Sequence, residues 1–192
     1  MKRVLLQPFT YGQENRLLLV GLSLALVGCF VQLSTSIRFF STFQIENVSS
    51  QPTFSQILGD FGIATLLLTL ALFALGYFIN SKTRWIDIFN TVLVAKVLLS
   101  PLLLIPLGYL LKKSDELNEI YSIQKQTIGV ALTIFLCLAL FSIFVILFIC
   151  FGRYLYQGFK TATHLKKKVH LILFVLLVIC VELCTPILTT LY

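Results

Sequence analysis

Five stretches of this chain each hold about 20 or more predominantly apolar residues, the length a helix needs to cross a hydrocarbon core roughly 30 Å thick. They run approximately over 17–37, 61–80, 86–111, 127–151 and 169–191. Inside lipid every backbone N–H and C=O must find its partner within the spanning segment, so runs of this length become helices. The predicted fold class is therefore all-α: a polytopic integral membrane protein with five transmembrane helices forming a single transmembrane domain over residues 1–192. The composition agrees, with 58% hydrophobic and only 12% charged residues and a mean hydropathy of +0.94, outside the range of soluble domains. The longest connection, over 38–60, is about 23 residues, which leaves no room for a soluble catalytic or binding domain.

Lys and Arg in short loops are retained on the cytoplasmic side, so the basic residues set the predicted orientation. Lys2, Arg3, Arg16, Lys82, Arg84, Arg153, Lys160, Lys166, Lys167 and Lys168 fall on one side of the five spans. The other side has Arg38, Lys112, Lys113 and Lys125, offset by Glu46, Asp60, Asp115, Glu116 and Glu119. The expectation is N-terminus inside and C-terminus outside, in the inner membrane if the source is a bacterium. The net charge of +7 then reads as a topology signal plus attraction to anionic headgroups at the cytoplasmic face of the bilayer. Nucleic acid is not an expected partner, because the basic residues are split among loops instead of sharing one soluble face. A membrane-protein partner or a second copy of the chain is.

Motifs for catalysis are missing. Gly21-Leu22-Ser23-Leu24 is no nucleophile elbow, and the sequence has no His-Glu-x-x-His helix, intramembrane acidic pair, P-loop or dinucleotide fingerprint. No enzyme activity, cofactor or metal is expected. Cys180 and Cys184 share a helix face, but Glu182 lies at about 200° from each at 3.6 residues per turn, so the three cannot close on one ion. Leu26-Val27-Gly28-Cys29 resembles a lipoprotein cleavage site. The competing and favoured reading is a retained helix whose Gly21, Ala25 and Cys29 form a small-residue packing stripe.

Two charges lie deep in apolar runs, Lys96 in the third and Glu182 in the fifth. A charge at the bilayer centre costs roughly 2.5–3.5 kcal/mol on insertion scales, so such residues usually meet a partner within the bundle. Lys96 lies about 16 Å along its helix from Trp85, and Glu182 about 21 Å from Lys168, a difference in depth that a lysine side chain spans. Ser100 follows Lys96 on one face, and Thr185 follows Glu182. Pro101, Pro106 and Pro186 each remove a helical hydrogen bond, and a kink is expected just beyond Lys96. The expected site is a Lys96–Glu182 ion pair with Ser100 and Thr185 beside it. Three roles stay open: fixing helix register, an ion or proton pathway, and unpaired snorkelling of the lysine.

The stretch Asn80-Ser81-Lys82-Thr83-Arg84-Trp85-Ile86-Asp87-Ile88-Phe89-Asn90-Thr91, the stretch Tyr154-Leu155-Tyr156-Gln157-Gly158-Phe159-Lys160 and the five-span layout together resemble the YIP family of Ypt/Rab-interacting-protein-like membrane proteins, in particular its small bacterial branch. The resemblance implies five helices, a cytoplasmic N-terminus and a non-enzymatic role as a membrane scaffold, organising or assembly factor. It also implies a cytoplasmic interface at Arg84, Asp87, Asn90 and Lys160, and a basic residue in the third span matched to an acidic one in the fifth, here Lys96 and Glu182. The chain departs from the eukaryotic pattern in having only about 16 residues ahead of the first span. The alternative function is a small transporter or channel component that uses the intramembrane Lys96/Glu182 site, since kinked helices beside charges are found where substrates bind.

Overall fold

The computed structural model describes residues 14–35, 37–39, 45–47, 52–97, 126–165 and 168–189. These residues form helices α1 (Glu14–Thr35), α2 (Phe54–Ile79), α3 (85–97), α4 (Gln126–Thr163) and α5 (Lys168–Thr189). Strands β1 (Ile37–Phe39) and β2 (Ile45–Asn47) pair antiparallel, with Arg38 opposite Glu46. Four helices contain segments long and apolar enough to cross a membrane: Asn15–Leu33, Phe54–Ile79, Phe141–Thr163 and Val169–Ile187. Ser100, Pro101 and Pro106, and with them the expected kink, lie outside the described residues.

Three boundaries differ from the sequence expectation. The first helix stops at Thr35, because Ile37 already belongs to the β ladder. The connection thought to run to Asp60 ends at Thr53, where Thr53-Phe54-Ser55-Gln56 supplies a capping box and Gln56 Oε1 accepts the Thr53 N–H at 3.0 Å. The largest correction concerns α4. Arg153 and the stretch from Tyr154 to Lys160 are not in a loop but continue one 38-residue helix, about 57 Å long. Nothing in that stretch stops a helix: it has no proline, and a glycine such as Gly158 costs only about 1 kcal/mol. The helix ends where His164 takes a left-handed φ of 53°, the conformation that commonly closes a helix.

The turn from α2 to α3 is closed by its own polar groups. Asn80 N–H donates to the Gly76 carbonyl at 2.8 Å, Thr83 N–H to the Asn80 carbonyl at 3.0 Å, and Lys82 N–H to Asn80 Oδ1 at 3.1 Å. This returns the chain straight into the bundle as α3, which becomes its central helix: from Ile88 to Val97 no residue is exposed. On one side Ile88, Val92 and Ala95 pack with Leu68 and Leu72 of α2, with Phe151, Leu155 and Phe159 of α4, and with Phe174 of α5. On another, Leu93 and Val97 pack with Ala25 of α1. The Gly21 and Ala25 stripe makes that approach possible, since a β-carbon at Gly21 would fall 2.7 Å from Leu93 Cδ2. Outward faces are apolar instead of polar: Leu22, Phe78, Phe141, Ile172 and Leu183 are all exposed. Exposed apolar surface on this scale suits lipid and not water.

Candidate functional site: a buried charge pair and a polar cleft

Lys96 sits on the central helix and Glu182 on the inward face of α5, while Cys180 and Cys184 on the opposite face of α5 are exposed. Lys96 Nζ lies 3.4 Å from Glu182 Oε1, and the two side chains are 6% and 0% exposed. The separation is that of an ion pair slightly longer than the usual 2.7–3.2 Å hydrogen bond. Taking each charge out of water costs several kcal/mol, which mutual attraction offsets only at close range. Thr185, also buried, lies one turn beyond Glu182 and donates its Oγ1 hydrogen to the Val181 carbonyl at 2.7 Å. That bond satisfies the hydroxyl within the helix, so the α5 face next to the pair stays compact. Chemically the arrangement can lock α3 against α5 or pass a proton between amine and carboxylate. Among the described residues no group of three His, Cys, Asp or Glu side chains is placed to hold a metal.

A second polar feature lies at the end of the bundle where α1 begins, α2 turns into α3, and α4 finishes. There a cleft of about 360 Å³ opens, lined by Leu17, Asn80, Lys82, Arg84, Asp87, Asn90, Thr91, Gly158, Thr161, Ala162 and His164. Three of the four residues expected at the cytoplasmic interface meet here. Arg84, just ahead of α3, and Asp87 in its first turn form a bidentate pair, with Nη2–Oδ1 at 2.9 Å and Nε–Oδ2 at 3.2 Å. The i, i+3 spacing and the positive helix end both favour Asp87 in that place. Asn90 is buried, one turn deeper in the wall of the cleft. Lys160 is exposed on α4 and does not line it. Thr91 donates its hydroxyl to the Asp87 carbonyl at 2.7 Å and Thr161 to the Gln157 carbonyl at 2.9 Å, so both side chains offer the cleft a hydroxyl oxygen whose hydrogen is already used.

Sequence reasoning put Asp60 in the outer connection, whereas it is 1% exposed within α2. The overlooked signal is periodic: Ile57, Asp60, Ala64, Leu68 and Leu72 recur at three- and four-residue spacing along one buried stripe. Gln32 of α1 is buried as well, on the same face as Gly21, Ala25 and Cys29. No family model, curated protein or solved structure matches the chain.

Proposed function

We propose that this chain is a non-enzymatic membrane scaffold or assembly factor of YIP-like character, with five spans, a cytoplasmic N-terminus and an external C-terminus, in which Lys96 and Glu182 fix the register of α3 against α5. The observation that carries this reading is the burial of the pair: the two side chains, 6% and 0% exposed and 3.4 Å apart, join the central helix to a peripheral one. A buried polar pair of this kind is best attested as a register device, because sliding either helix by one turn would strand two charges in an apolar core. The small residues at the helix contacts and the short connections support a compact architectural part over a machine with moving domains. The resemblance of residues 80–91 and 154–160 to the YIP family, and the ten basic residues on one side of the spans, support the class and the orientation.

Flux measurements in proteoliposomes test the proposal. The expected result is no ion or solute flux above protein-free vesicles, together with a charge-swapped Lys96→Glu/Glu182→Lys variant that folds better than either single change. Protein-dependent flux that Lys96→Met abolishes would overturn the scaffold reading in favour of a transport component.

A further inference from the structure

The cleft at the inner end of α3 has two unlike walls. The turn side contributes Lys82 and Arg84, which only donate hydrogen bonds; the helix side contributes the acceptors, the Asp87 carboxylate and the Thr91 and Thr161 hydroxyl oxygens, with Asn90 and His164 beside them. Both hydroxyl hydrogens are committed to helix carbonyls, so these oxygens act toward a ligand as acceptors. A plain phosphate would satisfy the donor wall and be repelled by Asp87. A neutral sugar would meet neither charge well. The complementary ligand carries an anion and a hydrogen-bonding cation a few atoms apart.

We propose that this cleft binds the headgroup of an aminophospholipid, with the phosphodiester against Lys82 and Arg84 and the primary ammonium against Asp87, Thr91 and Thr161. Such a zwitterion inserts into the Arg84–Asp87 pair and leaves each charge with a partner. Charge-assisted bonds to both ends make the recognition selective. The volume agrees, since about 360 Å³ lies at the lower end of the roughly 300–1,000 Å³ typical of small-molecule sites, room enough for a headgroup. The lipid source follows from position. The cleft lies at the end of the apolar helices, Leu17 and Ala162 give its lining an apolar part, and the outward face of α1 continues from it with Leu19 and Leu22 exposed. This inference requires the chain to be membrane-embedded and is independent of whether it acts as a scaffold.

The test uses the full chain in detergent micelles, titrated with phosphatidylethanolamine, phosphatidylglycerol or phosphatidylcholine. Native mass spectrometry counts the bound lipid. Trp85, the single tryptophan and the neighbour of Arg84, reports occupancy by fluorescence. Phosphatidylethanolamine is expected to bind at least about tenfold more tightly than the other two, and Asp87→Asn to erase that preference. Thr161→Val, a milder change that removes one acceptor, is expected to weaken it by about twofold to tenfold even if Asp87→Asn does not fold. Equal retention of all three lipids, or a preference untouched by both substitutions, overturns the proposal. Soluble glycerophosphoethanolamine binding as tightly as the lipid overturns the lipid source.

Discussion

Gly158 of α4 lies so close to Thr91 of α3 that a β-carbon at position 158 would overlap the Thr91 Oγ1 and Cγ2 atoms. Thr91 cannot readily turn aside, because its hydroxyl is bonded to the Asp87 carbonyl at 2.7 Å. The Thr91 side chain therefore packs directly onto the α4 backbone at Gly158, and both residues line the polar cleft. Overpacking a tight contact typically costs about 1–3 kcal/mol, so Gly158→Ala is expected to lower stability by that amount in a thermal melt in micelles. Gly152, on the same helix, has open space where its β-carbon would be. Gly152→Ala is expected to be neutral or to stabilise by up to about 1 kcal/mol through helix propensity. Equal effects from the two would remove the contact argument.

The buried pair makes a prediction of opposite form. Removing one partner leaves the other buried without its counter-charge, so Lys96→Met and Glu182→Gln are each expected to cost about 3–5 kcal/mol. Replacing both with apolar residues of similar volume, Lys96→Met with Glu182→Met, is expected to recover most of that loss. Unfolding by a denaturing detergent measures all three variants. Single changes with no effect would show that the pair does not hold α3 to α5.

The α1–α3 contact is testable with a native thiol. Cys29 is 1% exposed, whereas Cys180 and Cys184 are exposed on the outer face of α5. In the folded protein a small apolar maleimide is expected to modify Cys180 and Cys184 and to spare Cys29, as peptide mass mapping would show. Gly21→Val forces α1 off Leu93, so Cys29 should then become reactive. Protection of Cys29 in that variant would mean that something other than the small-residue stripe buries it.

Lys82 and His164 line the same cleft and therefore lie on the same side of the bundle. A membrane-impermeant thiol reagent is expected to label Lys82→Cys and His164→Cys together, and only from the cytoplasmic side if the positive-inside orientation holds. Labelling from the other side would invert the proposed topology, and labelling of the two from opposite sides would contradict the cleft itself.

Much of the bundle was legible because run length and 3.6-residue periodicity are direct consequences of lipid and helix geometry. The small residues Gly21 and Ala25 announce a packing face in the sequence, and counting along the helices gives Lys96 and Glu182 similar depths. Polarity alone does not mark a loop in this chain. Asp60 interrupts an apolar run as a connection residue would, but its place in the Ile57–Leu72 stripe marks it as inward-facing. Arg153 and Lys160 suggest a loop by their charge, yet a helix longer than the hydrocarbon is thick continues as long as no residue stops it, and α4 runs through both. The cleft was the hardest to foresee. Arg84, Asp87 and Asn90 are near one another in sequence, but Thr161 and His164 arrive from α4, and no local pattern announces that meeting.

The enclosure of α3 bears on how the protein is made. The helix buried from Ile88 to Val97 leaves the ribosome well before α4 and α5, and Glu182 follows Lys96 by about 86 positions. At roughly 5–20 residues per second, Lys96 waits about 4–17 s for its carboxylate to be synthesised. Over that interval the Lys96 ammonium has no Glu182 beside it, and a charge facing bare lipid is costly. Biogenesis must shelter it, within the insertion machinery or against α1 and α2, until α5 emerges and brings Glu182 to it.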